Sequence, residues 1–415
     1  MRIAIIGSGI AGLTCAYLLS RKHEVTVFEA ERWIGGHTHT LDVDWQGQRY
    51  AIDTGFIVFN DWTYPNFIRL LDQLNVASQP TQMSFSVHDP RTGLEYNGHD
   101  LNTLFAQRRN LLSPGFWGML RDILRFNRQV ITDLDNQRID PTTTLGAYLL
   151  AQGYGHRFIE HYIVPMGSAI WSMSRADMLA FPLRFFVRFC RNHGLLSVND
   201  RPQWRVIQGG SRSYVEPLCR TFAERIRLGC KVERVSRDEA GATVVSTAGI
   251  ERFDSVVFAC HSDQALAMLH APTAQERAVL GGIGYADNDV VLHTDTRLLP
   301  QRKLAWASWN YRLGAAENAP AAVTYNMNLL QGLKAPVTFC VSLNQTALID
   351  PTQIIARLRY AHPQYTLRAS AAQGRKAQLQ GHLNSYFCGA YWGNGFHEDG
   401  VVSALQVAGH FGEQL

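Results

Sequence analysis

Gly7-Ser8-Gly9-Ile10-Ala11-Gly12 sets three glycines at a spacing suited to holding a pyrophosphate against the main chain. Gly7 allows a tight turn, Gly9 lets a phosphate approach the backbone, and Gly12 lets a helix and a strand pack closely. Ser8 and Ala11 complete the loop, and the helix that follows offers unpaired N–H groups and a positive dipole end to an anion. Glu29, followed by Ala30, comes 17 residues after Gly12. That interval suits a carboxylate that accepts hydrogen bonds from the hydroxyls of an adenosine ribose.

The elements needed to position these groups are legible around them. Arg2–Ile6 reads as a short apolar strand, Leu13, Ala16 and Leu19 share one helix face, and Val25–Phe28 forms a second strand ending at Glu29. This first βαβ unit is common to NAD and FAD proteins and does not separate them. A second glycine doublet follows at once in Gly35-Gly36-His37-Thr38, and Asp53-Thr54-Gly55-Phe56-Ile57 comes after a polar strand. Two such approaches of the backbone indicate a long, bent cofactor.

With these residues in place, the chain resembles the flavin amine oxidase and phytoene desaturase superfamily. Members carry Glu-Ala-x(4)-Gly-Gly-Arg, and this chain reads Glu29-Ala30-Glu31-Arg32-Trp33-Ile34-Gly35-Gly36-His37, with His37 where arginine is usual. The resemblance implies non-covalent FAD. It also implies an α/β fold in which a GR2-type, Rossmann-like FAD-binding domain carries an inserted α+β substrate domain. The expected cofactor domain is discontinuous, over residues 1–60, 201–270 and 381–415. The expected substrate domain covers residues 61–200 and 271–380.

Two later stretches join the first. Gln208-Gly209-Gly210-Ser211 opens a helix expected through Val215 to Arg225, and alternating strands follow from Cys230 to Cys260. These strands read either as a routine β-meander or as the chain's return to the FAD domain. In the resembling family Val232 matches the residue whose backbone meets the adenine. The terminal stretch from Phe387 and Cys388 through Gly389 to Glu398-Asp399-Gly400-Val401 leads into a last helix. Its N-terminus, near Gly400 and Val401, is expected to point N–H groups at the flavin N1/C2-carbonyl edge, where reduced flavin is anionic. Glu398 and Asp399 suit either cofactor contact or plain capping.

Length and composition bound the rest. A chain of 415 residues, 46% hydrophobic and 18% charged, is ordinary for an enzyme with two joined domains. A formal charge of +4 does not argue for nucleic acid. Seven cysteines without a CxxC pair argue against a disulfide framework or a zinc site, and no metal is expected. A strand beginning at residue 2 argues against a signal peptide, and no apolar run is long enough to span a bilayer. A cytoplasmic location is the expectation, with peripheral contact at the inner face of the membrane.

The intervening segments carry less chemistry. Helices are expected over about 115–136, 142–152, 154–162 and 176–193, and strands over 290–293, 306–311, 323–328 and 337–341. Arg121, Arg125 and Arg128 share a helix face, as do Arg184, Arg188 and Arg191 beside Phe185, Phe186 and Phe189. Such faces serve as solvated surfaces, as lipid-headgroup contacts or as phosphate sites. Trp171, Trp204, Trp306, Trp309, Tyr325 and Trp392 line a tunnel or fill the core. No catalytic acid or base stands out. Lys303 and Lys334 are the candidates for the lysine that related oxidases place near the flavin. His37 and His397 read as flavin neighbours with structural hydrogen bonds or as bases.

A narrower resemblance spans nearly the whole chain. His37-Thr38-His39-Thr40, Asp53–Asn60, Trp306–Tyr311 and Gly395–Gly400 look like a bacterial group of NAD/FAD-binding oxidoreductases encoded beside cyclopropane-fatty-acid-synthase-like methyltransferases. It implies oxidation or desaturation of a modified fatty acyl or lipid-like substrate by hydride transfer to flavin N5, with a lipid-modifying methyltransferase as partner. The alternatives are an amine oxidase acting on a small amine, and a non-catalytic flavoprotein that supports a lipid methyltransferase.

Overall fold

Strands Arg2–Ile6 and Glu24–Phe28 are buried along all but their first residue, as parallel strands covered on both faces must be. In the computed structural model, which describes residues 1–314 and 319–415, they sit inside a five-stranded parallel sheet. Its order is Ile226–Arg227, Glu24–Phe28, Arg2–Ile6, Ser255–Phe258 and Ser385–Phe387. The expected substrate segment 271–380 includes residues 315–318, which lie outside the described residues.

Helices Ile10–Leu19 and His397–His410 pack together on one face of this sheet, around Ile3, Ile5, Val25 and Val27. The antiparallel strands Val232–Asp238, Gly241–Ser246 and Gly249–Phe253 cover the other face, around Ala4, Ile6, Val256 and Phe258. Three layers result, and they fix the carboxyl ends of the parallel strands. Ligands bind there in open α/β sheets.

A second sheet has seven strands in the order 354–364, 284–293, 340–343, 323–326, 309–312, 85–89 and 94–97. Helices Pro114–Asp135, Val164–Trp171 and Leu183–Asn192 join it in one large apolar core.

Several element boundaries differ from expectation for local reasons. The helix expected over 176–193 is two helices, Arg175–Leu179 and Leu183–Asn192, because Pro182 precedes the second and restricts the residue before it. The helix expected at 154–162 runs on to Trp171 through a wide π turn at Ile159–Ile163. Pro165 cannot donate to the His161 carbonyl, and the Tyr96 hydroxyl takes that acceptor at 2.6 Å. Met327 and Asn328 begin a short helix, Met327–Gln331, capped by Asn326. Residues 306–308 precede the strand Trp309–Arg312. The helix expected from Val215 to Arg225 stops at Cys219.

Candidate functional site

The glycine loop has the strain that its sequence demands. Gly7 has φ +107°, and its N–H donates to the Phe28 carbonyl at 2.8 Å. A Cβ on Gly12 would lie 2.0 Å from the Gly7 carbonyl oxygen. Gly9 is different: a Cβ there would meet nothing within 4 Å. Its main chain faces open space at the start of helix Ile10–Leu19, which fits the approach of a pyrophosphate.

Glu29 is buried beside this loop. One carboxylate oxygen accepts from the Ser8 N–H at 2.9 Å and the Ser8 hydroxyl at 2.6 Å, and the other accepts from the Glu31 N–H at 2.9 Å. Three donors leave acceptor capacity on the second oxygen. The Cys230 N–H reaches the Glu29 carbonyl at 2.8 Å, which brings Val232 to the same end of the sheet. Ala30 is exposed next to it. Replacing Glu29 by Ala should weaken FAD binding by roughly 1.5–3 kcal/mol, the worth of a hydrogen bond to a charged group. Flavin fluorescence titration of the apoprotein measures it.

The second glycine doublet docks on the first. Gly35 and Gly9 pair as a bridge, and the Gly35 N–H donates to the Ser8 hydroxyl at 3.2 Å. From there His37 and Thr38 lead inward. The Phe56 N–H donates to the His37 carbonyl at 2.7 Å, and a Cβ on Gly55 would lie 2.3 Å from that oxygen. The Thr54 hydroxyl meets the Tyr360 hydroxyl at 2.9 Å. Phe56 stacks on His397 at 3.5 Å between ring centroids, and His397 Nε2 lies 3.0 Å from the Thr38 hydroxyl. Thr38 also hydrogen-bonds the Tyr214 hydroxyl. Ile57 belongs to the apolar core of the second sheet.

The last helix begins earlier than expected. The last helix starts at His397, so the Gly400 N–H already donates to the Phe396 carbonyl at 3.1 Å. The groups left without an intrahelical acceptor in this first turn are those of His397, Glu398 and Asp399, not Gly400 and Val401. Gly400 instead permits close packing, since a Cβ would lie 2.8 Å from Ile10. Val401 is fully buried. The Glu398 carboxylate turns onto another helix, accepting from the Asn66 and Phe67 N–H groups at 3.1 and 2.8 Å. Asp399 accepts from the Phe396 N–H at 2.9 Å, and burial pushes its carboxyl up to about 6. Gly389 has φ +157° and donates to the Ser403 hydroxyl at 3.0 Å. The Cys388 thiol is buried against Cys15.

Residues that the sequence did not single out complete the site. His37 lies 4.9 Å from Tyr360, 5.6 Å from His362 and 6.2 Å from His261, between ring centroids. The His37 Nε2 atom is buried without a partner among the described residues, so it is free for a ligand. Burial, helped by the neighbouring His261, holds His37 down at about 4. Burial likewise holds His261 at about 4, and burial with His37 beside it holds His362 at about 3. Burial keeps His397 well below its ordinary value. All four are neutral at pH 7. His261 had one available signal, its place just past the carboxyl end of strand Ser255–Phe258. Tyr360 and His362 had none.

Asp53 is a structural hub. It accepts from the Thr40 hydroxyl at 2.6 Å and from the Ser211 N–H and hydroxyl at 2.8 Å each, while burial raises it to about 6. The doublet Gly209-Gly210 thus ties Ser211 to Asp53. Lys303 lies over the Trp306 ring at 5.8 Å, and the Lys334 main-chain carbonyl accepts from Tyr50. The six candidate aromatics do not form one tunnel. Trp171 packs among Phe181, Phe186 and Phe189, Trp306 donates to Pro300, and Trp392 donates to Phe387.

Comparison with known proteins accords with this geometry. Residues 10–325 match the family described as flavin containing amine oxidoreductase. The chain is 35% identical over 91 residues to 15-cis-phytoene desaturase of Synechococcus elongatus, a match covering 21% of this chain and only 18% of that protein. Cyclohexylamine oxidase from Brevibacterium oxydans is similar in structure with a TM-score of 0.67, 15% identity and 99% of each chain covered. A fatty acid isomerase from P. acnes is similar with a TM-score of 0.68 and 14% identity, covering 99% of this chain and 98% of that one. At such identities these two likenesses speak for the fold.

Proposed function

Because the chain belongs to the flavin-containing amine oxidoreductase family, and is thus a flavin-dependent oxidoreductase with FAD as its cofactor, we propose that its substrate is an apolar, lipid-like chain. The observation that carries this reading is one face of the seven-stranded sheet. Cross-strand register places Ala356, Leu358 and Tyr360 beside Leu292, Val290 and Asn288, and Leu292 and Val290 beside Val341 and Leu343, then Tyr325 and Val323, then Trp309 and Tyr311, then Phe85 and Val87. No residue in that series carries a charge. Helix Val164–Trp171 covers it, and its Tyr360 end meets His37.

Bound flavin supplies a hydride acceptor at N5. The protein's part is to hold an unreactive carbon in place and keep water out. The neutral imidazoles of His37, His261 and His362 suit that task, since they place no charge against an apolar chain. The 91-residue likeness to a desaturase supports the same direction.

Anaerobic mixing with methylated or cyclopropanated phospholipids should bleach the flavin, while monoamines and polyamines leave it oxidised. Tyr325→Asp should cut the bleaching rate at least about a hundredfold with flavin content retained, since an unpaired buried charge costs several kcal/mol. Rapid bleaching by an amine with lipids inert would replace this reading with amine oxidation.

A further inference from the structure

Helix Pro114–Asp135 buries Phe116, Met119, Phe126 and Val130 and turns a different face outward. On that outer face Trp117, Arg121, Leu124 and Arg128 stand at i, i+4, i+7 and i+11, forming a stripe of alternating large apolar and cationic residues. Trp117 is 49% exposed and Leu124 55% exposed, and just before the helix Leu112 is 89% exposed beside Leu111. The Trp117 indole N–H is already taken by the Leu111 carbonyl at 2.9 Å, so its exposed ring has no free donor to seek water. Arg121 and Arg128 make no ion pair among the described residues. A groove of about 570 Å³ lies along the same face, lined by four arginines and one aspartate among its residues. That aspartate, Asp133, is held by Arg138 at 3.6 Å and by the Tyr148 hydroxyl at 2.7 Å.

We propose that this face docks on the surface of an anionic phospholipid bilayer, with Leu112, Trp117 and Leu124 in the acyl boundary and the arginine groove on headgroup phosphates. Exposed apolar side chains interleaved with cations match the depth profile of a membrane interface. The occupant is set by charge complementarity, because a neutral apolar partner leaves the unpaired arginines unmatched. The second arginine helix does not share the role. Phe186 and Phe189 of helix Leu183–Asn192 are buried in the core, and Arg191 pairs with Asp135 at 2.5 Å. The surface stands on its own residues, and only its use in supplying substrate rests on the lipid reading above.

The test is flotation of the flavin-loaded full-length protein with vesicles of phosphatidylcholine alone and of phosphatidylcholine with 30 mol% (about a third) phosphatidylglycerol. Binding is expected to the anionic vesicles, to fall with added salt, and to drop by roughly fivefold for each arginine removed in Arg121→Gln and Arg128→Gln. Brominated acyl chains should quench the wild-type tryptophan emission more than that of Trp117→Phe, whose flavin spectrum should be unchanged. Equal binding to both vesicle types, or binding unaffected by either arginine variant, overturns the proposal. So does a concentration-dependent dimer, abolished by Leu112→Ser, in protein that ignores vesicles; the face would then join two copies. Vesicle docking by protein whose flavin is not bleached anaerobically by methylated or cyclopropanated phospholipids keeps the surface and overturns the lipid substrate.

Discussion

Gly9→Val is expected to give folded, soluble and colourless protein. Most substitutions in a glycine loop confuse loss of fold with loss of ligand, and this position separates them. Gly9 has φ −68° and ψ 176°, ordinary extended backbone, and a Cβ there meets nothing within 4 Å. The protein alone therefore tolerates a side chain. If the pyrophosphate reaches the backbone through the open space in front of Gly9, a valine fills that space. Loss of two hydrogen bonds to charged oxygens weakens binding by about 3 kcal/mol or more, roughly a hundredfold or greater. Flavin absorbance after reconstitution and the melting temperature of the apoprotein are the measurements. Gly12→Val is the contrast, since its Cβ would stand 2.0 Å from the Gly7 oxygen and the helix could not seat. A yellow Gly9→Val protein with unchanged affinity would remove the cofactor from this loop.

Acidification from pH 7 to pH 5 is expected to destabilise the protein by several kcal/mol. His37, His193, His261 and His293 are each held at about 4, chiefly by burial, and His362 at about 3. A histidine whose folded value lies below its unfolded 6.5 binds its proton more readily when unfolded. Its contribution to stability is full above 6.5 and is lost as pH falls toward the folded value. Between pH 6.5 and 5 each such group loses about 2 kcal/mol. Asp53 and Asp399, raised by burial to about 6, act in the opposite sense, binding protons more readily when folded. Each returns about 1.4 kcal/mol between pH 6 and 5, too little to cancel five imidazoles. Urea midpoints at pH 7 and pH 5 should show the drop. His37→Asn and His362→Asn together should shrink it by about 4 kcal/mol, the share of two imidazoles, and an unchanged midpoint in wild type would mean that these rings are not buried neutral.

The amino-acid sequence by itself determined the glycine loop and the strand–helix–strand unit that carries it. Gly7, Gly9, Gly12 and Glu29 act through local geometry, a turn and a helix start, and local geometry is written in consecutive residues. Gly35, Gly36 and the Thr54–Phe56 stretch were legible for the same reason, as main chain that must pass close to main chain. The long helices were also legible from apolar spacing, but their bounds were not: Pro165 and Pro182 acted beyond their own positions, the helix from Val215 stops at Cys219, and Met327–Gln331 is a helix where a strand was expected.

Tertiary structure decided the rest. The last helix begins at His397 because Asp399 caps the Phe396 N–H, a choice several neighbouring residues could have made equally well. Glu398 serves the helix Pro65–Gln73, which is 331 residues away in sequence at Phe67. His37, His261 and His362 meet because a turn and two strand ends from distant segments converge, and nothing near any one of them in sequence encodes the others. The side chains of the apolar sheet face and those of Leu112, Trp117 and Leu124 are alike in being large and apolar. Only the packing of the whole chain buries one and leaves the other in water, because burial is a property of what covers a residue and not of the residue itself.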